Sequence, residues 1–201
     1  PAPPPPLGFG TYGDLLIGSK LPVNREKALD LALRGLALGV VSAVVISLAG
    51  IVQSTPVPSD LARSWVEQGK AGFLPTPVAF LALEAALSPG RGKVLLLSPL
   101  ALAGMGGLFI TFIVAMPVVP WDGGHIIRSI APEGLSRKAG WVATVVVILM
   151  NPLIGALMLA SNLMPPFPQP LDEYSAVPRS KRRRALILYL LILALSLPII
   201  Q

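Results

Sequence analysis

The residue types that could do chemistry are concentrated in one short segment, DGGH at positions 122–125, which follows an apolar run broken by Pro117 and Pro120. An ionisable residue at the point where a membrane helix ends or breaks is a candidate functional site by default. Carboxylate and imidazole groups both bind zinc, but a catalytic zinc takes three protein ligands, so Asp122 and His125 cannot hold one alone. The structural alternative is that the prolines end a helix and Asp122 caps the next turn.

The composition of the chain defines the class of protein that must position this segment. Of the 201 residues, 53% are hydrophobic and 13% are charged, whereas soluble domains carry roughly 25% charged residues. The chain has no cysteine, which excludes disulfides and thiolate metal sites. We therefore predict an all-α polytopic membrane protein whose first partner is the lipid bilayer.

The apolar runs predict about four transmembrane helices, because a crossing needs roughly 20 apolar residues. An apolar stretch at 73–87 is shorter and contains two prolines and Glu84, so we expect a re-entrant or interfacial segment there. Residues 1–27 are rich in Pro and Gly and predict a small N-terminal loop or hairpin, and residues 28–201 form the transmembrane domain. The predicted spans are 31–52, 94–119, 139–164 and 185–200.

Small residues recur on two of these spans. Gly35 and Gly39 form a GxxxG pair on the first, and Gly104, Gly106 and Gly107 give the second a smooth face. Such faces let two helix backbones approach closely, so we expect helix packing there and no chemistry.

One span is interrupted, because Asn151 and Pro152 lie near the middle of 139–164. A proline inside a helix frees a backbone carbonyl that neighbouring groups must satisfy. We expect Asn151 to play a structural role at this break.

The charge of the chain predicts its orientation. The formal net charge is +6, and a basic run at 179–184 adjoins the last apolar span. That position argues against nucleic acid as a partner, and the positive-inside rule places residues 179–184 in the cytoplasm. If 73–87 does not cross, the loops 53–93 and 164–184 share one side, so the side holding Asp122 depends on that segment.

Residues 103–125, AGMGGLFITFIVAMPVVPWDGGH, resemble the second signature of the site-2 protease family of intramembrane zinc metalloproteases. That signature reads approximately N-x-x-P-x-x-x-x-D-G, and archaeal and plant-type members often continue as DGGH. Pro117 falls five residues before Asp122, as in the family. Earlier segments, LGFGTYGD, PVNREKA and the run 31–39, are similar to the region that follows the family's zinc-binding helix.

This resemblance implies a specific activity and cofactor. In the family, an HExxH helix supplies two zinc-binding His and a general-base Glu, and the Asp of the second motif is the third ligand. Asp122 would then be a metal ligand, and the substrate would be a transmembrane helix cleaved within the cell membrane. The motif and substrate-binding positions would be Val114, Pro117, Gly123, Gly124 and His125.

Two departures from the family pattern support an alternative function. The chain contains no HExxH, so no catalytic residue is assigned within it, and zinc is expected only if HExxH lies upstream of Pro1. Val114 also stands where the family has Asn, and its side chain can form no hydrogen bond with substrate. The alternative is a non-catalytic scaffold or accessory subunit of a larger membrane complex, derived from a protease.

Overall fold

The computed structural model describes residues 24–72, 74–87, 92–119, 121–163 and 177–199, and within them the chain is mostly helical, as predicted. Most of the predicted N-terminal segment 1–27 lies outside the described residues. The elements are α1 (Arg25–Val52), β1 (Thr55–Pro58), α2 (Ser59–Glu67), β2 (Thr76–Pro77), α3 (Val78–Leu87), β3 (Lys93–Leu96), α4 (Pro99–Val114), α5 (Asp122–Ile130), α6 (Glu133–Met150), α7 (Pro152–Leu163), α8 (Arg179–Ser196) and β4 (Pro198–Ile199).

Helices α1 and α4 form the central antiparallel pair of the fold. The Asn24 side chain caps α1 by accepting a hydrogen bond from the Lys27 backbone N–H at 2.9 Å. Ser98 caps α4 in the same way, and its hydroxyl also donates to the Gly50 carbonyl at 2.8 Å. The start of α4 is therefore fixed to the end of α1.

The contact between α1 and α4 is a seam of small residues, which we call the glycine seam. An added Cβ at Gly104 would overlap the Ser47 backbone, one at Gly50 would overlap the Ala101 backbone, and one at Gly107 would lie 3.0 Å from the Ala43 Cβ. The packing face predicted on each helix is therefore used. The pairs, in order along α1, are Gly39 with Thr111, Ala43 with Gly107, Ser47 with Gly104, and Gly50 with Ala101.

Short strands close one end of the bundle, which we call the strand end. There β1 pairs antiparallel with β3, and β2 pairs antiparallel with β4. Both ends of α3 also lie here, because the Val78 N–H donates to the Leu197 carbonyl at 3.0 Å and Leu87 lies with Ile51 and Leu95 around a shallow groove. The ten-residue α3 therefore lies across this end.

The predicted span 139–164 differs in the structure, where it is two helices, α6 and α7, packed against each other. The Asn162 amide donates to the Thr144 hydroxyl at 2.7 Å, whereas these residues would be about 27 Å apart on one continuous helix. At the tip, the Asn151 side chain accepts from the Ile154 N–H at 3.1 Å and so caps α7. Asn151 has the structural role expected of it, but it starts a new helix and the chain reverses direction.

This hairpin changes the predicted arrangement of loops. Lys181, on the first turn of α8, forms ion pairs of 2.7 Å with both Glu26 and Asp30 on the first turns of α1. Residues 179–184 therefore lie where α1 begins, which we call the basic end, and not with residues 53–93. The reason is that α6 and α7 return to the end from which they started, so together they do not carry the chain to the opposite end of the bundle.

Three apolar clusters form the core, and all of them involve α1 or α4. One joins α1, α5 and α8 around Leu29 and Ile126; a second joins α1, α3 and α4 around Phe80 and Leu108; a third joins α4, α6 and α7 around Met158. Among the described helices, α1 is the one that is both long enough and apolar enough to cross a membrane. That criterion alone is also met by an apolar core helix or a signal sequence.

Candidate functional site

The loop between α4 and α5, residues 115–121, lies at the centre of the candidate site. Ala115 and Val118 have no solvent-exposed surface. The loop forms two tight turns, in which the Val118 N–H donates to the Met116 carbonyl at 2.7 Å and the Trp121 N–H donates to the Val118 carbonyl at 2.9 Å. Pro117 cannot continue the helix, and the two turns after α4 lead directly into α5.

Gly123 and Gly124 are required by this turn. A Cβ on Gly123 would overlap the Ala115 backbone, and one on Gly124 would lie 2.5 Å from the Val118 carbonyl carbon. The close backbone approach expected at the two glycines is present. It is made by the chain's own loop, so in this structure the glycines position Asp122 by packing α5 onto the end of α4.

Tyr189 on α8 forms a hydrogen bond with the C-terminal end of α4. This residue was not identified from the sequence. Its hydroxyl donates to the Ala115 carbonyl at 2.7 Å in a buried position. Carbonyls at a helix C-terminus have no partner within the helix, so a buried one needs a side-chain donor. The signal in the sequence was a single phenol in an otherwise aliphatic run, LILYLLIL.

We expect Tyr189→Phe to lower the free energy of unfolding by about 1–3 kcal/mol, because the buried Ala115 carbonyl would lose its partner. Thermal unfolding in detergent would measure this. Ser42→Ala is the matched control, since the Ser42 hydroxyl is exposed and bonds only within its own helix. An equal response of the two variants would contradict the role of Tyr189.

The α6–α7 hairpin packs against the other side of the loop. An added Cβ on Gly140 of α6 would lie 2.9 Å from the Pro117 carbonyl oxygen and 3.4 Å from Asn162 Oδ1. The Trp121 indole N–H donates to the Ser161 hydroxyl of α7 at 3.5 Å. Pro117, the motif proline, is therefore half-buried between the end of α4 and the base of the hairpin.

Asp122 is the first residue of α5, and its side chain leans against α1. Its Oδ2 lies 3.2 Å from the position that a Cβ on Gly35 would occupy. Within the described part of the chain, the carboxylate accepts no hydrogen bond and forms no ion pair. Burial raises the pKa of the Asp122 carboxyl above its usual range, so this is a half-buried acid that the described residues do not neutralise.

The other two motif positions lie close by and differ in character. Val114 is partly buried against the apolar cluster that joins α1, α5 and α8. His125 is half-buried on the second turn of α5, one turn after Asp122. Its backbone N–H donates to the Trp121 carbonyl at 3.2 Å, and its carbonyl accepts from the Ser129 hydroxyl at 2.7 Å.

The described residues do not by themselves form a zinc site. No group of three or more His, Asp or Glu side chains is positioned to share a metal ion among the residues that the structure describes. The segment offers one carboxylate without a partner, and zinc requires at least three protein ligands. The described residues therefore supply fewer than the three ligands that a catalytic zinc needs.

Comparisons with known proteins identify no relative of this chain, since no family model, curated protein or solved structure matches it. The function of the chain is therefore inferred from its own residues and from the resemblance in residues 103–125.

Proposed function

We propose that this chain is a polytopic membrane protein of the site-2 protease type, and that Asp122 is its contribution to the metal centre of an intramembrane protease. The remaining ligands would come from residues other than those described. The observation that carries this proposal is a desolvated carboxylate without a partner among the described residues, held at the start of α5 between Gly123, which follows it, and Gly35 on α1.

The exposed surface supports a membrane location. Only 33% of the most apolar 18-residue window of α1 is buried within the protein, whereas a core helix of a soluble protein would be mostly covered. Apolar side chains also remain exposed on α6, α7 and α8, as with Leu149 at 81% and Leu153 at 79%. Contiguous apolar surface of this extent needs a lipid or protein covering. In the proposed arrangement α1 crosses the bilayer. Helices α4 and α8, which are shorter or less apolar than a typical spanning helix, cross beside it through their packing on α1, and α6–α7 enters the bilayer and returns.

The charge distribution supports an orientation for this arrangement. Three of the described basic residues, Arg63, Lys70 and Lys93, belong to the strand end. By the positive-inside rule the basic end faces the cytoplasm, and Asp122 lies on that side. The described basic residues of the basic end are Arg25, Lys27, Arg34, Arg128, Arg137, Lys138, Arg179, Lys181, Arg182, Arg183 and Arg184.

The protease proposal is supported by the energetics of Asp122. A buried carboxylate without a partner costs stability, and proteins tend to retain such groups where a bound ligand or a reaction uses them. A metal ion would supply the missing opposite charge.

A non-catalytic scaffold is the second candidate, and Val114 favours it. At the position where the family has Asn, this chain has an apolar side chain packed against an apolar cluster, so the polar contact to substrate is replaced by helix packing. The exposed apolar faces of α6, α7 and α8 would then contact other membrane subunits.

The experiment that separates the two functions is purification of the full natural protein from its membrane in mild detergent, followed by zinc analysis. About one zinc per chain, together with cleavage of a transmembrane-helix substrate, is the expected result for a protease. Absence of zinc with a stoichiometric membrane partner would establish the scaffold. Recovery in the soluble fraction would contradict both.

Val114→Asn tests the motif directly. If the protein is a protease with a weakened substrate site, the restored amide should increase the cleavage rate of a transmembrane-helix substrate, because it returns a hydrogen-bond donor and acceptor. Ile113→Asn, one position away, is the control for adding an amide to this helix. No gain from Val114→Asn in a zinc-loaded protein would mean that the site differs from the family's in more than this residue.

A further inference from the structure

We propose that the exposed arginines in the first two turns of α8 form a binding surface for the phosphate headgroup of an anionic phospholipid in the surrounding bilayer. This inference rests on the membrane location given under Proposed function and goes beyond it. Neither protease nor scaffold activity requires such a site.

The basic residues of α8 lie where the helix itself disfavours them. The N-terminus of a helix carries the positive end of the macrodipole, which favours anions. The first six residues of α8 nevertheless include five cations, and its N-cap, Pro178, supplies no side-chain hydrogen bond. The free N–H groups of the first turn and the cationic side chains therefore present the same sign of charge.

One of the five cations is compensated from within the protein. Lys181 points towards α1, where Glu26 and Asp30 each bind its ammonium group at 2.7 Å. These two hydrogen bonds raise the pKa of the Lys181 ammonium group above its usual range. Lys181 therefore fixes α8 to α1 and is not available to a ligand.

The four arginines are not compensated in this way. Arg179, Arg182, Arg183 and Arg184 are exposed, and no ion pair to any of them forms within the described residues. Arginine binds phosphate oxygens with two parallel N–H donors. An anion from outside the protein would satisfy both the arginines and the free backbone N–H groups of the first turn.

The position of the arginines identifies the source of that anion. Residues three, four and seven apart share a helix face, so Arg179 and Arg183 lie above Leu186 and Leu190, which are 38% and 53% exposed. This face changes from cationic to aliphatic within one to two turns. In a bilayer, the leucines would contact acyl chains while the arginines lie at the depth of the headgroups.

The test is binding of single lipids to the detergent-solubilised full chain, measured by native mass spectrometry. Phosphatidylglycerol is the anionic probe and phosphatidylcholine the neutral one. We expect phosphatidylglycerol to bind at least tenfold more tightly, and Arg179→Gln/Arg183→Gln to remove most of that preference, since each arginine near a charged surface contributes about fivefold. Raising the salt concentration should weaken the preference as well.

The matched control is Arg137→Gln/Lys138→Gln, which removes two exposed charges from α6 at the same end. It should change the preference less than twofold. An equal loss in both double variants would show that the overall charge of this end is responsible and would overturn the site. Displacement of phosphatidylglycerol by millimolar inorganic phosphate would also overturn it, in favour of a soluble anion.

A liposome flotation assay distinguishes failure of the lipid site from failure of the proposed membrane location. The double variant should still float with liposomes of either lipid, because the apolar faces are unchanged. A wild-type chain that floats but binds the two lipids equally would overturn the lipid site alone. A chain that floats with neither would overturn both the membrane location and the site.

Discussion

Gly104→Ala should lower the free energy of unfolding by about 3 kcal/mol, at the upper end of the usual cost of overpacking. A Cβ at this position would overlap the backbone of Ser47, and its Oγ and Cα as well. A flexible side chain could move aside, but the backbone of α1 cannot move without separating the two helices. Because four residue pairs share the glycine seam, that separation would loosen contacts along its length. Thermal or denaturant unfolding in detergent measures the effect.

Gly106→Ala is the control for this prediction. Gly106 lies on the same helix two residues away, and no atom lies within 4 Å of the Cβ it would gain. Alanine is up to about 1 kcal/mol better than glycine in a helix interior, so this variant should be unchanged or more stable. Similar losses in both variants would mean that helix propensity or lipid contact, and not the seam, determines the response.

Gly104 and Gly106 show how much of the helix packing could be predicted from the sequence. A cluster of three glycines indicated a smooth packing face on the second span, and two of them, Gly104 and Gly107, pack against α1. The sequence did not distinguish Gly106 from Gly104, because the rotation of α4 about its axis is set by contacts with α1. Those contacts include the hydrogen bond from Ser98 to Gly50, 48 residues away in the sequence.

The hairpin at Asn151 was not predicted because hydropathy measures the length of an apolar run and not its direction. Residues 139–164 are apolar on both sides of Pro152, so they are long enough for one crossing. The distinguishing signal is a pair of polar residues, Thr144 and Asn162, which contact each other only if the chain reverses. A hairpin counted as one continuous helix exchanges the ends of every later segment, and residues 179–184 lie at the opposite end from the predicted one for this reason.

The candidate site was predictable in part. Asp122 was identified because an acid next to prolines and glycines in an apolar sequence is rare. Tyr189 was not identified, because its role depends on a carbonyl 74 residues away in the sequence. Gly123 and Gly124 were predicted as motif and substrate-binding positions, whereas their nearest neighbours are the residues of the loop that precedes them. The sequence indicated which side chains could do chemistry, but it did not indicate which distant residues would contact them.

Asp122→Asn should abolish metal binding and substrate cleavage if the protein is a protease, because the amide is a poor replacement for an anionic ligand. Zinc content and cleavage of a transmembrane helix measure this loss. Asp60→Asn, in the first turn of α2 at the strand end, is the control and should leave both unchanged. Unchanged zinc in the Asp122 variant would remove this residue from the metal site.

Without bound metal, the Asp122→Asn variant should be more stable than the wild type. As the first residue of α5, Asp122 interacts favourably with the helix dipole, which is worth about 0.3–1 kcal/mol. Desolvation acts in the opposite direction, and for a fully buried ion without a partner it costs several kcal/mol. Only part of that cost applies to the half-buried Asp122. The raised pKa shows that burial disfavours the charged form. The neutral amide should therefore raise Tm, by about 2–4 °C for each kcal/mol regained.

The pH dependence identifies the cause of that gain. Burial raises the pKa of Asp122 in the folded state, so the folded protein binds the proton more tightly than the unfolded chain does. The wild type then loses stability as the pH rises through the interval between the two pKa values, and the loss is complete above the folded value. Below the ordinary pKa of about 3.9 both states are protonated, and the advantage of Asp122→Asn should disappear there. An advantage that persists at low pH would come from packing. A variant less stable than the wild type at neutral pH would make Asp122 a helix cap and remove the energetic argument for a ligand.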